Sequence, residues 1–161
     1  MRTHESRDKQ LEALSGALGI KDNAVLGSLV DLGLRDSNIA ALVLAPLVSV
    51  AWADGTMDND ERRLIINAEI ALGVPPESGG AKLVDVWLAH RPHASLIDAW
   101  SAYIGELCKL LTPADAMRLR DDIVSRSKRI AKSIEKSFLR AGGPTDAERA
   151  VLSRIEEAFS S

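Results

Sequence analysis

Residues 39–73 read IAALVLAPLVSVAWADGTMDNDERRLIINAEIALG, and this stretch decides the fold. Its first part, residues 39–53, is the most apolar run of the chain. It is shorter than the roughly 18 to 20 residues needed to cross a bilayer, and Asp54-Gly55 ends it. It reads as a buried central helix. Pro46 has no N–H to give to the Leu42 carbonyl, so a kink is expected there. The second part, residues 58–72, puts Leu64, Ile65, Ala68 and Leu72 on one face at helical spacing and stops at Gly73. The whole is a helix, a short acidic turn and a second helix.

Working outward, period 3.6 recurs and sustained period-2 alternation does not. Leu11, Leu14 and Leu18 form a stripe that ends at Gly19. A short helix is expected over residues 24–32, closed by Gly33, with Asp36 and Ser37 as candidate caps for the central helix. Gly79-Gly80 precedes a helix over residues 81–90, which Arg91-Pro92 breaks. Ile97, Trp100, Ile104, Leu107, Cys108 and Leu111 share the next face. Thr112-Pro113-Ala114-Asp115 is a helix start, with Thr as cap, Pro in the first turn and an acid third. That helix is expected to run to Ala141 and to end at Gly142-Gly143-Pro144. Thr145 opens the last helix, with Glu148 as its capping-box partner. The expected fold is all-α: a compact single-domain bundle of seven to eight helices over residues 1–161, with residues 1–36 as an N-terminal helical extension.

Composition agrees and narrows the chemistry. The chain has 161 residues, 46% of them hydrophobic, enough for a real core. Aromatics are few, which disfavours a β sandwich or barrel. Trp52, Trp87 and Trp100 read as core anchors. The single cysteine, Cys108, excludes an internal disulfide and every multi-cysteine zinc site. Its place on an apolar face reads as a small core residue. His90 and His93 flank Arg91-Pro92 and suit a loop better than a zinc site. No Gly-rich phosphate loop, nucleophile elbow or spaced Ser/His/Asp set stands out, so no enzyme is expected. The polar residues 1–10 contain no apolar segment of a secretory signal, which makes the cytoplasm the expected location.

A formal net charge of -3 gives no reason to expect nucleic acid. The charge is nevertheless segregated. Residues 118–140 hold eight basic and three acidic side chains, a net of +5, so the rest of the chain carries -8. Such a basic face is either a solvated helix surface or a dock for an acidic partner.

The helix–turn–helix of residues 39–73 has a counterpart over residues 126–160. Gly55 matches Gly142, Asp58 matches Thr145, and Glu61 matches Glu148. Arg62 matches Arg149, Ile65 matches Leu152, Glu69 matches Glu156, and Leu72 matches Phe159. Identities are few, so true duplication and convergent helix-boundary chemistry both stay open. A duplication would pack the two hairpins with pseudo-twofold symmetry.

The first turn gathers four carboxylates, Asp54, Asp58, Asp60 and Glu61, within eight residues. Calcium and magnesium want clustered oxygen ligands of this kind. The spacing fits the second half of an EF-hand loop, but Val50 and Trp52 stand where its first carboxylates belong. Helix capping alone explains Gly55, Asp58 and Glu61, and does not require Asp54 or Asp60.

Ala53-Asp54-Gly55, then Met57-Asp58 and Glu61-Arg62 after a long apolar helix, resembles the TerB-like tellurite-resistance family. Gly142-Gly143-Pro144-Thr145 and Glu148-Arg149 look like that family's second hairpin. The resemblance covers residues 39–73 and 128–159. It implies a duplicated all-helical core and a role in tellurite and stress resistance, beside calcium-binding TerD-like proteins and a TerC-like membrane protein. It also implies a divalent cation (calcium, magnesium or manganese) at Asp54, Asp58 and Glu61, with Asp60 adjacent. Ala141 and Thr145 replace two of these acids in the second hairpin, so an equivalent second site is not expected. Glu148 is expected to lean toward the first site if the hairpins pair. No direct membrane insertion follows, and the oligomeric state is not specified. The related domain also occurs beside J-domains as an interaction module, which leaves a metal-independent adaptor as the alternative.

Overall fold

Helix order follows the apolar periodicity. The structure is a computed structural model that describes the backbone of residues 2–137 and 146–160 and the side chains of residues 7–131 and 146–160. Its helices are α1 (Arg2–Leu18), α2 (Asn23–Asp31), α3 (Ala45–Ala51), α4 (Asn59–Ala71), α5 (Gly79–Ala89), α6 (Leu96–Leu110), α7 (Pro113–Ser137) and α8 (Asp146–Ala158). A 3₁₀ segment, Ile39–Leu44, leads into α3. The described residues contain no strand. The all-α bundle is therefore as expected. The expected end of α7 at Ala141, and Thr145 as cap of α8, fall outside the described residues.

The central run departs from expectation in one respect. It is not one kinked helix over residues 39–53. Pro46 sits in the first turn of α3, after the 3₁₀ segment. A proline at a helix start loses no bond, because the first N–H groups have no intrahelical acceptor anyway. The proline thus separates two short pieces rather than bending a long one. Asp36 and Ser37 do not cap the segment either. Asn38 stands at its cap, and its Oδ1 accepts from the Arg35 N–H at 2.7 Å instead.

α3 is the axle of the bundle. Leu47, Val48 and Val50 are fully buried, and α3 touches α4, α6, α7 and α8. At ~25 cal/mol per Å² of apolar surface, such side chains each contribute on the order of 2 kcal/mol. α4 packs on α7, and α8 packs on α3. Each hairpin's second helix therefore lies on the other hairpin's first. α1 and α2 pack on each other, and α2 reaches α6. The core is one continuous cluster drawn from all these elements.

α5 begins earlier than expected, at Gly79. A Cβ on Gly79 would lie 2.3 Å from the Ser37 carbonyl oxygen. Glycine lets the start of α5 press directly on the backbone leading into the 3₁₀ segment. Ser78 caps this helix by accepting from the Ala81 N–H at 3.2 Å.

Candidate acidic turn between α3 and α4

The turn is built by local rules first. α3 ends at Ala51, and the Gly55 N–H returns to the Trp52 carbonyl at 2.8 Å. Gly55 has φ +94°, a conformation that a Cβ disfavours. Asp54 Oδ1 accepts from the Thr56 N–H at 3.3 Å. Asp58 then caps α4 with a complete capping box. Its Oδ1 accepts from the Glu61 N–H at 2.8 Å, and Glu61 Oε1 accepts from the Asp58 N–H at 2.9 Å.

Tertiary contacts add what local rules do not. Glu61 and Glu148 are each only 1% exposed. Both are the third residue of their helices, α4 and α8. Glu61 Oε2 is shut off from solvent and accepts no hydrogen bond. Burial pushes the Glu61 carboxyl up to about 8, opposed by the hydrogen bond from Asp58 and reinforced by the charges of Asp58, Asp54 and Glu148. The fold therefore brings Asp54, Asp58, Glu61 and Glu148 within electrostatic reach of one another. Asp60 is exposed and lies 3.9 Å from Arg63, on the outer side of α4. Among the described residues, no three His, Cys, Asp or Glu side chains converge as a finished coordination shell.

The turn is clamped to the end of α5. Trp52 Nε1 donates to the Trp87 carbonyl at 2.7 Å, and Arg62 Nη2 donates to the Leu88 carbonyl at 3.3 Å. These are among the last carbonyls of α5, which have no intrahelical donor. Arg91 completes the neighbourhood: its Nη1 would lie 4.0 Å from a Cβ at Gly55. The sequence did not reveal that Arg62 and Arg91 meet the turn in this way. Nothing in their local pattern announces contacts across 26 residues and more.

The other candidates resolve simply. His90 and His93 lie at the end of α5 and in the turn after it, as expected. Trp87 and Trp100 are buried, while Trp52 is half-buried and tethered by its indole N–H. Cys108 is half-buried, and burial pushes its thiol up, away from the reactive thiolate. Much of the basic stretch is answered locally on α7, by Arg118–Asp115, Arg120–Asp121 and Arg126–Asp122 pairs, and Lys128 reaches Glu156 on α8. Among the described residues, no helix is long and apolar enough to cross a membrane. No protein-family model matches the chain, and neither a curated protein nor a solved structure matches it.

Proposed function

We propose that this chain is a non-enzymatic, cytoplasmic accessory protein of a tellurite- or stress-resistance system, with a modest divalent-cation site at the α3–α4 turn. The observation that carries the reading is the burial of Glu61 beside Glu148, with Glu61 Oε2 lacking any donor. A buried carboxylate needs a proton, a donor or a cation. The donor set fits a hard cation: Glu61 and Glu148 inside, Asp58 at the edge, Asp54 outside, and Asp60 one step away on the surface. Calcium, magnesium or manganese would neutralise these charges and tie α4 to α8. Since the carboxylates do not already form a shell, binding would have to draw them together, which sets a modest affinity. TerD-like proteins and a TerC-like membrane protein are the partners this reading supplies, on the strength of the resemblance.

The test is thermal melting with millimolar calcium, magnesium or manganese. The wild type should melt higher with cation, and Asp58→Asn should respond less. Asn caps as well as Asp but ligates more weakly. No rise in the wild type rejects the cation role. A second reading has its own support: the capping box is complete with no cation. The chain would then be a metal-independent interaction module, and Asp58→Asn would leave both melting and cation response unchanged.

A further inference from the structure

A groove of about 840 Å³ runs between α2, the end of α5 and the start of α6. This is within the roughly 300–1,000 Å³ typical of small-molecule sites. Its wall is apolar, made by Val25, Leu32, Leu83, Val86, Trp87 and Leu96. Val86 is 52% exposed, a large apolar side chain left in water. The turn between α5 and α6 adds a polar side to the lining, with His90, Arg91, His93 and Ser95.

The polar side borders the acidic turn through Arg91, whose Nη1 would lie 4.0 Å from a Cβ at Gly55. The two aspartates on the groove, Asp31 and Asp98, are already paired with Arg7 and Arg154. Arg91 makes no ion pair with any described residue. His93 Nδ1 accepts the Ser95 N–H at 3.1 Å, and Ser95 Oγ lies 2.8 Å from the same nitrogen. In the neutral ring the proton must then sit on Nε2, which becomes a donor. Because Ser95 is turned to His93, α6 starts with no side-chain cap. The Leu96 N–H is taken by the His93 carbonyl at 3.0 Å, and the positive end of the helix dipole, with Asp98 in its first turn, lies beside Arg91 and two histidines. Arg91, the His93 donor and the helix dipole favour an anionic head group, and the wall beyond favours an apolar body.

We propose that this groove binds a small amphipathic carboxylate. The carboxylate lies at the start of α6, held by Arg91 and His93, and the hydrocarbon lies along Val86 and Leu83. The volume suits a single small molecule. The probe is octanoate below its micelle concentration, followed by backbone NMR, with 1-octanol as the uncharged control. Octanoate should shift the amides of residues 86–99 saturably. The alcohol and the Arg91→Gln/His93→Gln double variant should each bind roughly tenfold more weakly, the effect of losing one charge-assisted contact. Val86→Glu, at an exposed position, should keep the fold and abolish saturable binding, and an unchanged melting temperature would certify the fold. The proposal is overturned if octanoate gives no saturable shift or if octanol binds equally well. Shifts centred instead on the small cavity near Val43, Tyr103 and Leu107 would also overturn it.

Discussion

The starts of α4 and α6 carry nearly the same four-residue signature and are built in opposite ways. Asp58-Asn59-Asp60-Glu61 and Ser95-Leu96-Ile97-Asp98 both place a capping residue three before an acid. At α4 the two side chains answer each other's N–H groups, and the turn accumulates negative charge around a buried Glu61. At α6 Ser95 turns to His93, Asp98 turns to Arg154 on α8, and the helix starts without a side-chain cap, its Leu96 N–H taken by the His93 carbonyl. One helix start gathers acids around a buried carboxyl, and the other lies beside Arg91 and two histidines. The lesson is that a capping motif lists the available bonds, while neighbouring elements decide which are made.

The largest expected effect concerns pH. Glu61 keeps its proton up to about 8 in the folded chain, but loses it near 4.5 when unfolded. The folded state therefore binds the extra proton between these values. The stabilisation is complete below 4.5 and is lost as pH rises through about 8. Without added cation, urea unfolding should show stability falling across this window by on the order of 3 kcal/mol. Glu61→Gln keeps the acceptor oxygen and should flatten that slope. An equally steep slope in the variant would remove Glu61 from the account.

Next in size is the turn itself. Gly55→Ala places a Cβ at φ +94° and should cost about 1–2 kcal/mol, read as a lower denaturant midpoint at unchanged m. The α5–α6 turn contains no described residue at positive φ and has no such weak point. Asp58→Ala removes the α4 cap and should cost about 1 kcal/mol, with Asp58→Asn close to wild type. The smallest effect should come from Ser95→Ala. It breaks no cap bond, so its cost should stay within about 0.5 kcal/mol. If Ser95→Ala costs as much as Asp58→Ala, the two helix starts are alike and the contrast fails.

Much of the helix plan was legible. Thr112-Pro113-Asp115 opens α7 as read, with Thr112 Oγ1 accepting from the Asp115 N–H at 3.1 Å. Gly19, Gly33 and Gly73 follow the helices they were expected to end. The capping half of the acidic turn was equally visible, since a capping box spans four residues. Pro46 was misread, because a proline fits the first turn of a new helix as well as the kink of an old one, and only packing around α3 decides. The groove and the contacts Arg62 and Arg91 make across the fold were not legible.

By itself, the sequence determined the helical class, most helix boundaries and the concentration of acids on one turn. These follow from periodicity, caps and glycines, whose physics is complete within a few residues. Only the tertiary structure decided that Glu61 is buried within electrostatic reach of Glu148, that Trp52 and Arg62 hold the end of α5, and that the start of α6 lies on an apolar groove. Burial and long-range hydrogen bonds depend on which helix faces meet. The sequence states which faces are apolar, but not which of them pair.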